Sequence, residues 1–368
     1  MKIEDLKIPR RSHCMSVMGK YLYIAGGISK NGEILSNVEK YDEETNNWKK
    51  VVPMNYPKMN FGLVCLKNKE NMLLTIGGYP KIECYTRKNN AWKFHEYHNT
   101  CPYFAFTSYK NKIYISGGKS DDGTLDRVFE YDPIENIWKG FPKMLKPLSN
   151  HCMVEFNNKL YVIGGVNELG KTLNSFQMLD LSNLSNGWTE LLGLRTPRMN
   201  HSAVLFKNFI CVMGGENTTG GFEDTVEIYD PENNTWFISR RLPYRLSQFA
   251  STVYKDKIYI TGGIKEDNSF SGEVFLYEPL YKDFEEHKSN KTEYKSNKTE
   301  YKSNKSEYKS NKSEKRKSPK KYSRKYSKKP VKSRETRKDI LKDDNSLREK
   351  RIKKPSKKTP SRRPRVVR

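Results

Sequence analysis

No stretch of this chain approaches the 18 consecutive apolar residues of a membrane-spanning helix, which argues against a membrane partner of that kind. The N-terminus, MKIEDLKIPRR, sets Glu4 and Asp5 where a secretory leader needs apolar residues, so export by that route is not expected. Cysteine is scarce and scattered: Cys14, Cys65, Cys84, Cys101, Cys152 and Cys211 form no CxxC pair, which suits small buried hydrophobes in a reduced, intracellular protein. GxSxG, HExxH and phosphate-binding glycine loops are absent, and no catalytic constellation emerges, so neither an enzyme nor a cofactor is expected. Acidic residues are outnumbered 43 to 68, but the shortage is local. Glu285–Arg368 carries 33 Lys and Arg against 11 Asp and Glu, whereas Met1–Phe284 carries 35 against 32. A nearly neutral body long enough to bury a core is therefore followed by a strongly basic tail that cannot.

What the body does have is repetition. Glycine pairs at Gly26-Gly27, Gly77-Gly78, Gly117-Gly118, Gly164-Gly165, Gly214-Gly215 and Gly262-Gly263 are 51, 40, 47, 50 and 48 residues apart. Each closes a short β-branched or aromatic run such as YLYIAGG or KIYITGG, which reads as a buried strand. A residue at Tyr41, Tyr85, Tyr131, Leu179, Tyr229 or Tyr277 follows the second glycine by 13 or 14 positions, and by 7 in the second repeat, which has lost seven residues there. All five tryptophans (Trp48, Trp92, Trp138, Trp188, Trp236) fall seven residues later, or nine in the fourth repeat, with Phe284 at the same offset in the sixth.

The motif, clearest in PRMNHSAVLFKNFICVMGGENTTGGFEDTVEIYDPENNTW, resembles the kelch repeat, and the resemblance covers essentially all of Met1–Phe284. It implies an all-β fold: a six-bladed kelch β-propeller, followed by a disordered basic tail. Physical reasoning agrees. Glycine permits the positive φ and close backbone approach needed where a strand ends, and Tyr and Trp supply apolar area between sheets that no single blade can bury. MKIEDLKIPRR aligns with TELLGLRTPRM, so Met1–Asp5 is expected to complete blade six as its outer strand, the alternative being Leu280–Glu286. The expected domains are a propeller over 1–284, a heptad-repeat spacer over 285–314 and a Lys/Arg-rich tail over 315–368. Blade one is expected from Ser12, which leaves no room for the BTB domain that often precedes kelch propellers.

Two register positions near the expected channel mouth stand out. His13, His151 and His201 share one with Phe61, Phe104 and Phe249, and the exchange with Phe points to packing rather than metal ligation. The copper-dependent galactose oxidases are kelch propellers too, but no segment here matches their Tyr, His and crosslinked Cys. The preceding residues are Ser12, Asn60, Tyr103, Asn150, Asn200 and Gln248, all hydrogen-bonding and none charged. The resemblance implies that this position lines a peptide-binding mouth. Arginine there suits acidic motifs, so amides and hydroxyls disfavour an acidic peptide. Arg10, Lys58 and Arg198, two residues earlier, are expected to add positive charge on one side. Two readings stand: the six are strand caps in a wet channel, or they contact a partner.

The tail opens with four heptads, HKSNKTE, YKSNKTE, YKSNKSE and YKSNKSE, which lack the second apolar seam of a coiled coil. Its Lys/Arg clusters with Ser and Pro suit disorder and binding to polyanions, and Lys315–Lys321 (KRKSPKK) resembles a nuclear-localisation signal. The expected function is a non-catalytic interaction scaffold: a monomeric propeller holding a partner protein or peptide at its mouth, as a substrate receptor or cytoskeletal adaptor of the cytoplasm or nucleus. The alternative is a nucleic-acid- or chromatin-associated protein acting through its tail.

Overall fold

In the computed structural model, the period of the glycine pairs becomes a ring of antiparallel sheets. Blade one comprises Cys14–Met18, Tyr21–Ala25, Val38–Asp42 and Asn47–Val51, from the channel outwards. The next four blades repeat this four-stranded order, with innermost strands at Phe61–Leu66, Ala105–Tyr109, Cys152–Phe156 and Ser202–Phe206. Blade six contributes Ala250–Tyr254, Lys257–Thr261 and Val274–Tyr277. Each innermost strand abuts the next, and that of blade six abuts that of blade one, so the fold is a closed six-bladed β-propeller. The structure describes residues 3–67, 71–78, 81–97 and 101–279. Of the two compact units, Met1–Tyr301 and Lys302–Arg368, only the first contains described residues. The spacer, the basic tail, Phe284 and the alternative strand Leu280–Glu286 lie outside them.

The core is divided six ways. Six clusters of buried apolar side chains each fill one cleft between adjacent blades. Tyr and Trp at the seven-residue offset contact each other within a blade, with ring centroids 5.1 Å apart for Tyr41–Trp48 and 5.0 Å for Tyr229–Trp236. The Tyr hydroxyl then fixes the turn between the outer strands. Tyr41, Tyr85, Tyr131 and Tyr229 donate to the side-chain oxygen of an Asn five residues on, at 2.7–3.0 Å. Each of these asparagines holds a left-handed φ of 45–57°, a conformation that Asn tolerates better than most residues.

Closure depends on the N-terminal segment. Every blade whose exit segment is described sends a buried Leu or Met back to the segment leading into its own third strand. The N–H groups of Met54, Met144, Leu194 and Leu242 donate to Ser36, Asp126, Asn174 and Asp224 at 2.8–3.0 Å. At blade six that place is taken from the other end of the chain, where Leu6 N–H donates to the Gly272 carbonyl at 2.7 Å. Tryptophan gives the same register. The indole N–H groups of Trp92, Trp188 and Trp236 reach the carbonyls of Val52, Pro142 and Leu192 in the preceding blade, and that of Trp48 reaches Glu4 at 2.8 Å. Ile3 and Leu6 are buried in the cleft between blades six and one. Residues 3–10 thus lie along blade six, but the expected outer strand is not formed among the described residues: 3–9 hold the blade through single hydrogen bonds and buried side chains, and its sheet has three strands, while Met1 and Lys2 fall outside the described residues.

Glycine is required at the seam. A Cβ on Gly262 would lie 2.5 Å from the Arg10 carbonyl, and the N–H of Gly263 donates to that same carbonyl at 2.8 Å. Leu6→Ala removes a buried side chain that joins the chain ends and is expected to lower stability by about 2–3 kcal/mol in urea denaturation. An unchanged midpoint would show that the segment does not hold the ring together.

Candidate functional site: the channel mouth

Ser12, Asn60, Tyr103, Asn150, Asn200 and Gln248 converge at one end of the channel. All six have positive φ, between 48° and 63°, which turns the chain from the exit of one blade into the innermost strand of the next. Their backbones form a belt. The N–H groups of Ser12, Asn60, Asn150, Asn200 and Gln248 donate to the carbonyls of Gln248, Ser12, Tyr103, Asn150 and Asn200 at 2.8–3.2 Å. Part of the amide pattern therefore has a local cause, because Asn accepts the left-handed conformation readily. Tyr103 and Gln248 do not share that preference, so their side chains need another explanation.

The side chains differ around the belt. Ser12 Oγ donates to Gln248 Oε1 at 2.9 Å, and Arg11 donates to the same oxygen. Asn200 Nδ2 donates to Glu216 Oε1 at 2.6 Å, and Gln248 Nε2 approaches it at 3.5 Å. Blades one, five and six thus satisfy one another. Asn60, Tyr103 and Asn150, from blades two, three and four, make no side-chain hydrogen bond among the described residues, and Tyr103 is 38% exposed. Above the belt opens a mouth of about 710 Å³, which Lys119, Glu168 and Leu169 also line. At the belt and the layer beneath it lies a cavity of about 140 Å³, and the channel between the innermost strands holds one of about 490 Å³.

The three cations expected at the mouth are not there. Arg10, Lys58 and Arg198 are fully buried and pair with Glu39 at 2.6 Å, Glu83 at 3.5 Å and Glu227 at 2.6 Å. They also donate to backbone carbonyls, Arg10 to Gly26, Lys58 to Lys81 and Arg198 to Gly214, and Arg198 donates to Thr225 Oγ1 as well. They staple blade edges and present no charge to a partner. Burial lowers the Lys58 pKa, with Glu83 opposing the shift.

The histidines lie one layer below, packed against the preceding blade. His13 Nε2 meets Thr261 Oγ1 at 2.9 Å, and His151 Nε2 meets Ser116 Oγ at 2.8 Å. Burial pushes both imidazoles down to about 3, assisted at His13 by Arg10, and burial with Arg198 and His151 pushes His201 well below its ordinary value. Among the described residues no group of three or more His, Cys, Asp or Glu could hold a metal ion. Cys14 and Cys152 donate to the Phe61 and His201 carbonyls, and burial raises both thiols to about 12. No helix among the described residues is long and apolar enough to cross a membrane.

Comparison with known proteins gives a consistent family. A model of the KLHDC2/KLHL20/DRC7 Kelch-repeats domain matches residues 103–303, and a Kelch motif model matches residues 9–55. Kelch-like protein 36 of Mus musculus is 28% identical over 273 residues, covering 69% of this chain and 44% of the relative. Kelch-like protein 15 of Homo sapiens is 24% identical over 304 residues, covering 76% and 42%. Kelch repeat and BTB domain-containing protein 1 of Ectromelia virus (strain Moscow) is 28% identical over 211 residues, covering 55% and 36%. The chain spans less than half the length of these relatives. Among solved structures, that of YjhT superposes with a TM-score of 0.63 at 14% identity, covering 74% of this chain and 96% of YjhT, a likeness of fold alone.

Proposed function

The chain belongs to the kelch-repeat family, and we propose that it is a non-catalytic scaffold whose channel mouth holds a partner protein, in the role of a substrate receptor or cytoskeletal adaptor. The observation that carries this reading is the half-satisfied belt. Its backbone is tied by hydrogen bonds at five of the six blade junctions, all but that between Asn60 and Tyr103, while Asn60, Tyr103 and Asn150 offer uncommitted polar groups at an open cavity. Binding residues held on a rigid scaffold need little reordering, which favours affinity. With Arg10, Lys58 and Arg198 buried, the mouth has no dominant sign of charge: Arg11, Lys119 and Glu168 line it, and Glu216 contacts the belt at Asn200 and Gln248. Recognition there rests on short-range hydrogen bonds and apolar contact.

Affinity purification of the full chain, with and without nuclease, tests this reading. A partner held at the mouth survives nuclease and changes little in affinity as salt rises, because screening acts on charges rather than neutral contacts. Binding through the tail, whose net charge is +22, disappears with nuclease. Its affinity falls with salt at a log–log slope of about −0.9 per phosphate neutralised on a duplex. A partner lost under both treatments would favour the tail as the main binding element.

A further inference from the structure

Among the described residues, the rim of the mouth is broken at one blade. In the other five blades the second and third strands are joined by eleven or twelve residues, as between Ala25 and Val38 or Met213 and Val226. Each of these loops stands over the belt as a self-contained turn that closes back on the second glycine of its pair: Leu35, Leu125, Leu173, Glu223 and Ser271 donate to Gly27, Gly118, Gly165, Gly215 and Gly263 at 2.8–2.9 Å. In blade two only three residues separate Met72–Gly77 from Lys81–Thr86, so the chain there lacks the length of the eleven- or twelve-residue turn of the other blades. The gap adjoins Asn60 and leads towards Tyr103 and Asn150, the three belt residues whose side chains are uncommitted.

On the far side of this free half stands an apolar tip. Leu169 is 85% exposed and lines the mouth. Its loop is braced by Asn167, whose side-chain oxygen accepts from Leu169 N–H at 3.1 Å and from Lys171 N–H at 2.9 Å. The braced loop holds this leucine in place as one apolar contact at the rim. The open, polar walls of the mouth are unlike the enclosed apolar pockets that take small molecules. Carboxamides both donate and accept, as peptide groups do, and a mouth lined by both Lys119 and Glu168 favours neither sign of charge.

Resting on the reading that a partner occupies the mouth, we infer that it enters sideways over blade two as an extended, uncharged polypeptide segment. Asn60, Tyr103 and Asn150 bind it, with an apolar side chain of the segment covered by Leu169. The probe is a random-peptide library displayed on phage and selected on the full chain in salt that screens the tail. Enriched peptides should be uncharged. Asn60→Ala and Asn150→Ala should each weaken a selected peptide by about three- to tenfold and Tyr103→Ala by more than about tenfold, all exceeding the losses from Ser12→Ala and Asn200→Ala. Inserting a copy of Asn217–Glu223 after Gly78 fills the gap and should abolish binding without lowering the melting temperature. If the inserted protein does not fold, the point variants decide.

Three results would overturn the inference. Equal losses around the whole belt, with normal binding to the gap-filled chain, would leave a partner at the mouth but exclude lateral entry. Indifference to every variant would remove the mouth reading as well. Enrichment of charged peptides, or of none, would reject the proposed ligand.

Discussion

Between pH 7 and pH 5 the propeller is expected to lose about 4 kcal/mol of stability through His13 and His151 alone, with His201 adding in the same direction. In the folded protein the first two imidazoles titrate at about 3, whereas exposed in the unfolded chain they titrate near 6.5. Below pH 6.5 the unfolded state therefore binds protons that the folded state refuses. Stability falls by about 1.4 kcal/mol per pH unit per histidine until the folded-state value is reached. The chain contains its own control. Blades two, three and six carry Phe61, Phe104 and Phe249 at this register position. A variant with His13→Phe, His151→Phe and His201→Phe should lose much of the acid sensitivity. It should start less stable at pH 7, because Thr261 and Ser116 lose their partners, and end more stable at pH 5. Urea midpoints at the two pH values measure this. Parallel losses in both proteins would mean that the histidines do not titrate across unfolding.

Arg198→Leu is expected to cost about 3–5 kcal/mol, because it strands Glu227 in a fully buried site. Adding Glu227→Gln should recover most of that loss. Blade four shows why: it holds Leu148 and Gln177 at the same two positions, with Gln177 Oε1 accepting from Leu145 N–H at 2.8 Å. The corresponding bond in blade five runs from Arg195 N–H to Glu227 at 2.7 Å. The double substitution therefore copies a pairing that the fold already uses. Denaturant midpoints of the two singles and the double give the coupling directly. Additive losses would show that the two side chains do not form one buried unit.

These pairs also show what the sequence could and could not reveal. The blades were legible because glycine pairs, Tyr and Trp repeat at fixed offsets, and each has a local physical cause that acts in every blade. Closure by the N-terminal segment was legible in part, since the Pro-Arg of IPRR aligns with that of TPRM and carries Leu6 into register with Leu194. Arg10, Lys58 and Arg198 were misplaced because each was read alone. Their partners lie 29, 25 and 29 residues downstream, and an acid occurs there only where a cation precedes it: Leu148 and Leu246 are followed by Gln177 and Phe275. The cation–acid pairing was present in the sequence; its burial was not.

The belt residues were found as a set, but not their inequality. Asn60, Asn150 and Asn200 look alike in sequence, and the left-handed turn supplies one reason for all three. Only the Glu216 carboxylate beside Asn200 separates it from the others, and Glu216 reaches that place from a loop of a different register. The shortened loop of blade two was visible as a missing seven residues. Its meaning depends on the position of Asn60 below it, which requires the ring to be assembled.

Hydrogen–deuterium exchange of the full chain, with and without its nuclease-resistant partner, tests the central claim most directly. A partner seated at the mouth should add protection to the amides of 28–35, 119–125 and 166–173, while the outer strands Asn47–Val51 and Thr235–Ser239 exchange as before. Protection confined to those outer strands, with the mouth loops unchanged, would contradict it.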